Sequence, residues 1–244
     1  MGSFFNTILY QPLFNALVFL YNTIAFQDLG VAIVMLTVVV RVILYPLFYK
    51  SFHNQTLMQK IQPHIQKIQH DHKGDREKQA QALMELYRHH NVNPFSSFFL
   101  ILIQLPILIT LYRLFLNGIS PESFGNLYSF IIGPTELNHS FLGLIDLQNK
   151  SIVIVVLAAA LQYFQGRMSL PKATKGDSSP TSKVSRSMVI IGPILTVGIL
   201  ATLPSAIGIY WFASSAFSIA QQAIINKQLN KGNGAIKGEN SKSS

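Results

Sequence analysis

Arg41 carries a fixed positive charge inside an otherwise apolar run, residues 29–48, which reads LGVAIVMLTVVVRVILYPLF. If this run crosses a bilayer, an arginine at that depth costs about 2.5–3.5 kcal/mol on insertion scales. Two interpretations fit its position. In one, the side chain extends along the helix to the cytoplasmic headgroups. In the other, it lies in a water-filled cavity, where it is able to bind an acidic group of a substrate.

Glutamines interrupt a later apolar run near its inner end. Gln162 and Gln165 lie within residues 152–166, a run shorter than the roughly 20 residues of an ordinary span. A short span favours local thinning of the bilayer. Together with Arg41, these glutamines are candidates to line a hydrophilic recess that opens to the cytoplasm. Thr37 joins the candidate set, although polar side chains in membrane helices commonly hydrogen-bond to neighbouring helices instead.

The histidines do not form a metal-binding pattern. His70 and His72 lie near a predicted turn, while His89 and His90 lie near the far end of the following helix, so the two pairs cannot share one ion. The chain contains no cysteine, which excludes disulfides, thiolate metal sites and cysteine nucleophiles. We therefore expect neither an enzyme nor a metal or cofactor site. The spans also contain no acidic residue, which weakens the hypothesis of a proton-coupled transporter.

The elements that would position these residues are membrane-spanning helices. Hydrophobic residues make up 49% of the chain. Charged residues make up 12%, which is about half the usual share in a soluble domain. The last apolar run is divided at Pro204, because proline cannot continue a helix without losing a backbone hydrogen bond. The predicted spans are residues 29–48, 95–115, 152–166, 188–203 and 206–225. The sequence thus predicts an all-α membrane protein with five transmembrane helices.

Basic residues are concentrated in alternate connections between these spans. The basic segments are residues 49–94, 167–187 and 226–244. Residues 1–28 contain no Lys or Arg, and residues 116–151 contain only Lys150. Because basic connections stay in the cytoplasm, we expect the N-terminus outside, residues 116–151 as an extracytoplasmic loop and the basic tail inside. The net charge of +9 also favours contact with anionic lipid or RNA.

Two segments outside the spans have helical periodicity as well. In residues 1–28, Gln11, Asn15 and Asn22 fall on one face, which predicts an amphipathic helix on the outer interface. A sixth span is the alternative, and no basic residue decides between the two. In residues 49–94, apolar residues recur at intervals of three and four on both sides of a glycine-containing turn. This pattern predicts a cytoplasmic helical hairpin.

Several segments, taken in chain order, resemble the YidC/Oxa family of membrane protein insertases. They are ILYQPLFNALVFLYNTI near the N-terminus, TVVVRVILYPL in the first span, HNVNPF after the hairpin, IQLPILITLYRLF in the second span and IGIYWFASSAFSIAQQ in the fifth. The resemblance covers nearly the whole chain. It implies that Arg41 lies in a hydrophilic groove closed to the outside. It also implies that Gln162 and an aromatic residue, Tyr210 or Trp211, belong to that groove, although such an aromatic is often an interfacial anchor.

The resemblance implies a membrane protein insertase and chaperone of the bacterial cytoplasmic (inner) membrane. Such a protein takes hydrophobic nascent segments into its groove and releases them into the bilayer. Its expected partners are nascent membrane proteins, the ribosome, the Sec translocon, a targeting receptor and anionic lipids. Two alternatives remain open, a small-solute transporter or channel and a membrane anchor that recruits ribosomes or RNA. The candidate groove residues are Arg41, Gln162, Trp211, Tyr210 and Thr37.

Overall fold

The computed structural model describes residues 5–116, 121–170 and 180–240, and within these ranges the chain is mostly helical. The helices are α1 (Gln11–Thr23), α2 (Leu29–Ile43), α3 (Tyr45–Asp71), α4 (Arg76–His89), α5 (Ser96–Leu116), α6 (Ile152–Ser169), α7 (Pro180–Leu200) and α8 (Ser205–Asn240). A π-helical turn, Asn6–Tyr10, precedes α1, and a 3₁₀ turn, Pro121–Asn126, follows α5. Two short strands, β1 (Ser140–Phe141) and β2 (Ile145–Asp146), pair antiparallel.

The predicted span 29–48 is divided between α2 and α3, which meet at Leu44 at an angle of 72°. Pro46 lies in the first turn of α3. Proline has no N–H to donate to the carbonyl four residues earlier, and its ring would collide with that carbonyl if the helix were straight. The bend turns the start of α3, including Phe48, back toward Arg41.

By length and composition, one described helix, α6, is able to cross a bilayer, and α2 with α3 also qualifies if the bent pair is taken as one span. Residues Ser187–Leu200 of α7 form a shorter apolar helix. The five-span arrangement therefore stays a prediction.

Several element boundaries differ from those expected. Helix α6 continues to Ser169 and α7 begins at Pro180, so both helices extend into the predicted loop 167–187. Helix α8 continues to Asn240, so the expected basic tail is helical over most of its length. The remaining parts of the predicted loops and tail, residues 117–120, 171–179 and 241–244, lie outside the described residues.

The polar face of α1 binds the segment that follows α5. Asn15 is 1% exposed, and its side chain donates to the carbonyl of Asn126 at 3.0 Å and accepts from the Tyr128 amide at 2.7 Å. Gln11 donates to the same Asn126 carbonyl at 3.2 Å, and Asn22 donates to the Ile132 carbonyl at 2.7 Å. The polar periodicity of this helix therefore reflects protein contacts.

Residues 124–149, which we call the cap, cover one end of the helix bundle. Asp28 links the cap to α2, because its carboxylate accepts from the Val31 amide at 2.8 Å and from the Leu142 amide at 2.6 Å. Leu147 is fully buried in the main hydrophobic cluster, and its carbonyl accepts from the Ala206 amide at 3.2 Å. Strand β1 lies against Gly30, where an added Cβ would be 2.5 Å from Phe141.

Helices α3 and α4 form a pair, called the hairpin below, that packs along its own apolar seam. Ile61, Ile65 and Val92 are buried there, with partly buried leucines around them. Gly74 has a φ of 106° in the connecting turn, a conformation that strongly favours glycine. Asp75 caps the start of α4 by accepting from the Lys78 amide at 3.1 Å.

Candidate functional site

A partly open cavity of about 360 Å³ lies among α2, α3, α5, α6, α7 and α8. One part of its wall is polar, formed by Arg41, Gln104, Gln162, Gln165, Ser169, Ser214, Ser215 and Ser218. The rest is mainly apolar, formed by Phe48, Phe52, Leu105, Leu108, Met188, Val189, Pro193 and Trp211 with two glycines, Gly166 and Gly192. We call this cavity the groove. Its mixed lining suits an apolar chain that also carries polar groups.

Arg41 lies at the groove wall and is 7% exposed. Its Nη2 atom donates to the Ser214 hydroxyl and, at 3.5 Å, to the side-chain oxygen of Gln104. The guanidinium carbon lies 4.2 Å from the centroid of the Phe48 ring. This cation–π contact joins α2 to α3 across the 72° bend between them.

The environment of Arg41 leaves its charge incompletely matched. Its Nη1 atom is buried and makes no hydrogen bond within the described residues. No carboxylate in the described ranges forms an ion pair with it, since the ion pairs found there involve Asp71 and Asp75. A buried cation without a counter-ion is costly. An anion or a strong hydrogen-bond acceptor entering the groove would relieve that cost.

Tyr210 supports this arrangement from behind the groove wall. The side-chain nitrogen of Gln104 donates to the Tyr210 hydroxyl and, at 3.2 Å, to the Ser214 hydroxyl. The amide oxygen of Gln104 is thereby directed toward Arg41. Tyr210 is 3% exposed and does not line the groove. Its hydroxyl is linked to Arg41 by way of Gln104 and Ser214, which both bind the guanidinium.

Gln162 is held by two hydrogen-bond donors from neighbouring helices. Its side-chain oxygen accepts from the Thr196 hydroxyl on α7 and, at 3.3 Å, from the indole N–H of Trp211 on α8. Both Gln162 and Trp211 line the groove. The structure therefore brings Arg41, Gln162 and Trp211 to one cavity.

Thr37 does not reach this cavity. It is 3% exposed, and its hydroxyl donates to the Ile33 carbonyl of its own helix at 2.7 Å. A threonine in a helix interior often makes this bond, so its polarity is satisfied locally. The set predicted from sequence also lacked Gln104, Ser214, Thr196 and Phe48. The first three were detectable as polar residues in apolar runs, whereas Phe48 carried no signal in the sequence.

A second group of polar side chains connects the hairpin to the bundle. Gln59 on α3 donates to the carbonyl of Ser169 at 2.6 Å and to that of Met168 at 3.3 Å, at the end of α6. Gln222 on α8 donates to Gln55 at 3.1 Å and to the Ser169 hydroxyl at 3.3 Å. Because Ser169 of α6 also lines the groove, it connects the hairpin to the groove wall.

Six of the seven histidines lie along the hairpin, and His139 lies in the cap. The rings of His64 and His90 are 6.0 Å apart between centroids, and those of His89 and His90 are 5.1 Å apart. Within the part of the chain that the structure describes, no three His, Cys, Asp or Glu residues are arranged to hold a metal ion.

Comparison with known proteins shows similarity over most of the chain. The family described as 60Kd inner membrane protein matches residues 19–232. A protein of Clostridium tetani named membrane protein insertase YidC is 36% identical over 210 residues, which cover 85% of this chain and 86% of that protein. Proteins of the same name from Wolinella succinogenes and Geobacter metallireducens are 31% and 28% identical, over 92% and 91% of this chain. The chain spans only 38% and 37% of the length of these two relatives.

Proposed function

The chain belongs to the 60-kDa inner membrane protein family, the YidC/Oxa family that its sequence resembles, and on that premise we propose that it is a membrane protein insertase. It receives a hydrophobic nascent segment with its polar flank, holds the flank in the groove and lets the apolar part move into lipid. Transfer of the apolar part is favourable by roughly 25 cal/mol per Å² removed from water. The step therefore needs no covalent chemistry by the protein.

The observation that carries this proposal is the buried, incompletely matched charge of Arg41. A carboxylate of the polar flank placed about 4 Å from the guanidinium would be attracted by about 4 kcal/mol at an effective dielectric constant of about 20. Nη1 has no hydrogen-bond partner within the described residues, so the protein itself does not fully compensate the charge of the guanidinium. The groove thus offers a polar flank an environment part-way between water and hydrocarbon.

We place the groove on the cytoplasmic side of a five-span bundle formed by α2, α5, α6, α7 and α8, in a bacterial cytoplasmic membrane. The hairpin and the end of α8 carry most of the basic residues, which favours their location in the cytoplasm. The N-terminus and the cap then lie outside. Exposed apolar side chains on α6 and α7, among them Phe164 and Ile194, would face lipid.

The expected partners follow from this orientation. The basic cytoplasmic surface is suited to ribosomal RNA and to anionic headgroups. The hairpin would contact a targeting receptor or the Sec translocon, since its charged outer face is free of the bundle. Charged residues of both signs lie at or next to the hairpin turn, so its tip is polar but carries no net charge; they are Asp71, Lys73, Asp75, Arg76, Glu77 and Lys78.

The contacts of the cap argue against a channel or transporter. Buried Leu147 and the backbone hydrogen bonds from Ser205 and Ala206 join the cap to the start of α8. A groove covered at that end supports access from one side only. An insertase needs one-sided access, whereas a channel or transporter needs a path through the protein. The anchor alternative requires no groove, and it leaves the buried Arg41 at the groove wall without a role.

The test is insertion by the purified chain in protein-free liposomes. The substrate is a single-span protein with an acidic N-terminal tail, and protection of that tail from protease is the readout. Arg41→Ala is compared with Arg113→Ala, a matched control. Arg113 lies on α5, makes a cation–π contact with Phe5 at 5.3 Å and does not line the groove.

We expect wild type and Arg113→Ala to insert well above empty liposomes, and Arg41→Ala to insert at least about tenfold less for acidic tails, as loss of part of the estimated attraction requires. Insertion by Arg41→Ala equal to wild type would refute the role of the charge. Wild type that gives no protection above empty liposomes would refute autonomous insertion.

A further inference from the structure

The groove contains a second hydrogen-bond donor besides Arg41, and its direction is set by neighbouring helices. An indole N–H is a donor and never an acceptor. The Gln162 atom that faces Trp211 must therefore be the amide oxygen, because the amide nitrogen is itself a donor and cannot accept from the indole. Thr196 donates to the same oxygen. Because the amide oxygen accepts both of these hydrogen bonds, the amide nitrogen must point away from Trp211 and Thr196.

The nitrogen of Gln162 is directed toward Gly192. A Cβ added at Gly192 would lie 3.4 Å from this nitrogen and would meet no other atom within 4 Å. Gly192 and Gln162 both line the groove. The nitrogen makes no hydrogen bond within the described residues and is not enclosed, unlike the buried partnerless nitrogen of Arg41. The missing side chain at residue 192 thus leaves the donor accessible from the cavity.

We propose that Gln162 donates hydrogen bonds to backbone carbonyl groups of the polypeptide in the groove, and that Thr196 is the positioning residue that sets the direction of this amide. The proposal rests on the function proposed above and names the substrate group. Every residue of an extended chain exposes a carbonyl, about one per 3.3 Å. A carbonyl that leaves water without a partner is costly. A neutral donor reduces that cost even when the bound polypeptide has no charged side chain at that point. In this respect Gln162 differs from Arg41.

The chain offers a matched pair of variants for the test. Gly192→Ala places a methyl group over the nitrogen of Gln162 at ordinary contact distance. Gly198→Ala lies on the same helix, and its Cβ would meet nothing within 4 Å. Both changes raise helix propensity, so loss of insertion by Gly192→Ala alone cannot come from a weakened helix. Thr196→Val removes the hydroxyl at similar size, and Thr196→Ser restores it.

The assay is the liposome insertion described above, run with two substrates. One has the acidic tail, and the other has the same tail with Asp and Glu replaced by Asn and Gln. Since one hydrogen bond to a neutral group is at stake, we expect Gly192→Ala and Thr196→Val to lower the insertion rate of both substrates about three- to tenfold. Gly198→Ala and Thr196→Ser should insert both at the wild-type rate.

Each result separates this proposal from the proposed function. If Arg41→Ala lowers insertion but Gly192→Ala and Thr196→Val do not, the insertase function stands and the donor role of Gln162 is wrong. If the two variants impair only the acidic substrate, the group bound is a side-chain carboxylate, and the assignment to backbone carbonyls is overturned. If wild type itself does not insert, the proposed function fails first.

Discussion

Gly30 is the position where the smallest change should have the clearest effect on the cap. Its replacement by alanine would place a Cβ 2.5 Å from Cβ and Cδ2 of Phe141. Rotating the ring cannot relieve the contact, because Cβ is fixed to the strand backbone. Ordinary contact between carbon atoms is about 3.5–4.0 Å, so β1 must move by about 1 Å or more.

The cost can be estimated from the contacts that this movement disturbs. Overpacking costs about 1–3 kcal/mol. Loss of the 2.6 Å bond from the Leu142 amide to the Asp28 carboxylate adds about 1.5–3 kcal/mol. The gain in helix propensity offsets about 1 kcal/mol at most. Gly30→Ala should therefore destabilise attachment of the cap by roughly 1.5–5 kcal/mol.

Thiol labelling measures this directly, because the chain has no cysteine of its own. A single Leu147→Cys substitution introduces a thiol at a position of the cap that is fully buried against the helix bundle. In the Gly30→Ala background, a membrane-impermeant maleimide should label it at least about tenfold faster, since each 1.4 kcal/mol is tenfold in population. Gly125→Ala, whose Cβ would meet nothing within 4 Å, is the matched control in the cap.

A double-mutant cycle with Phe141→Gly distinguishes the proposed clash from a general effect. Once residue 141 lacks a Cβ, Gly30→Ala should accelerate labelling no further. Labelling of Gly30→Ala at the wild-type rate, or effects of the two substitutions that add independently, would refute the reasoning.

Three further predictions follow from other contacts. Arg41→Lys should retain much of the insertion of acidic tails and Arg41→Glu should lose most of it, because the charge rather than its geometry attracts the tail; equal rates in the liposome assay would contradict this. Gln59→Leu removes the donor to the Ser169 carbonyl and should broaden the spin-label distance distribution between hairpin and bundle, whereas an unchanged distribution would show that the hairpin is held otherwise. Hydrogen bonding by the backbone and side chain of Lys78 lowers the pKa of Asp75 in the folded protein. The ionised Asp75 therefore stabilises α4 fully above the usual aspartate pKa of about 3.9. This stabilisation is lost as the pH falls through the lower pKa that Asp75 has in the folded protein. Hydrogen exchange in the first turn of α4 should accelerate in that range for wild type but not for Asp75→Ala.

Local patterns in the sequence were sufficient to predict much of the architecture. Apolar runs predicted a mostly helical chain, which the structure has, and the family assignment is confirmed by the comparisons. These features depend on helical periodicity and backbone chemistry within a few residues. Arg41 was identifiable for the same reason, since a charge in an apolar run is conspicuous without knowledge of its neighbours.

Contacts between distant segments could not be predicted in this way. Asn15 binds residues more than 100 positions away, so the polar face of α1 looked like a surface for headgroups or water. Thr37 and Gln162 are similar as polar residues in apolar runs, yet one bonds its own helix and the other joins three helices. Which of these occurs depends on the rotation of each helix about its axis.

The sequence by itself determined the mostly helical character, the distribution of basic residues and the presence of a charge within an apolar run. The tertiary structure decided what surrounds that charge. Helix packing brings Ser214 and Gln104 to Arg41, and the bend at Leu44 brings Phe48 against it. Periodicity reports which face of a helix is polar, but the partner of that face is set by packing of side chains far apart in the chain. For that reason the donor role proposed for Gln162 emerged only from the folded arrangement.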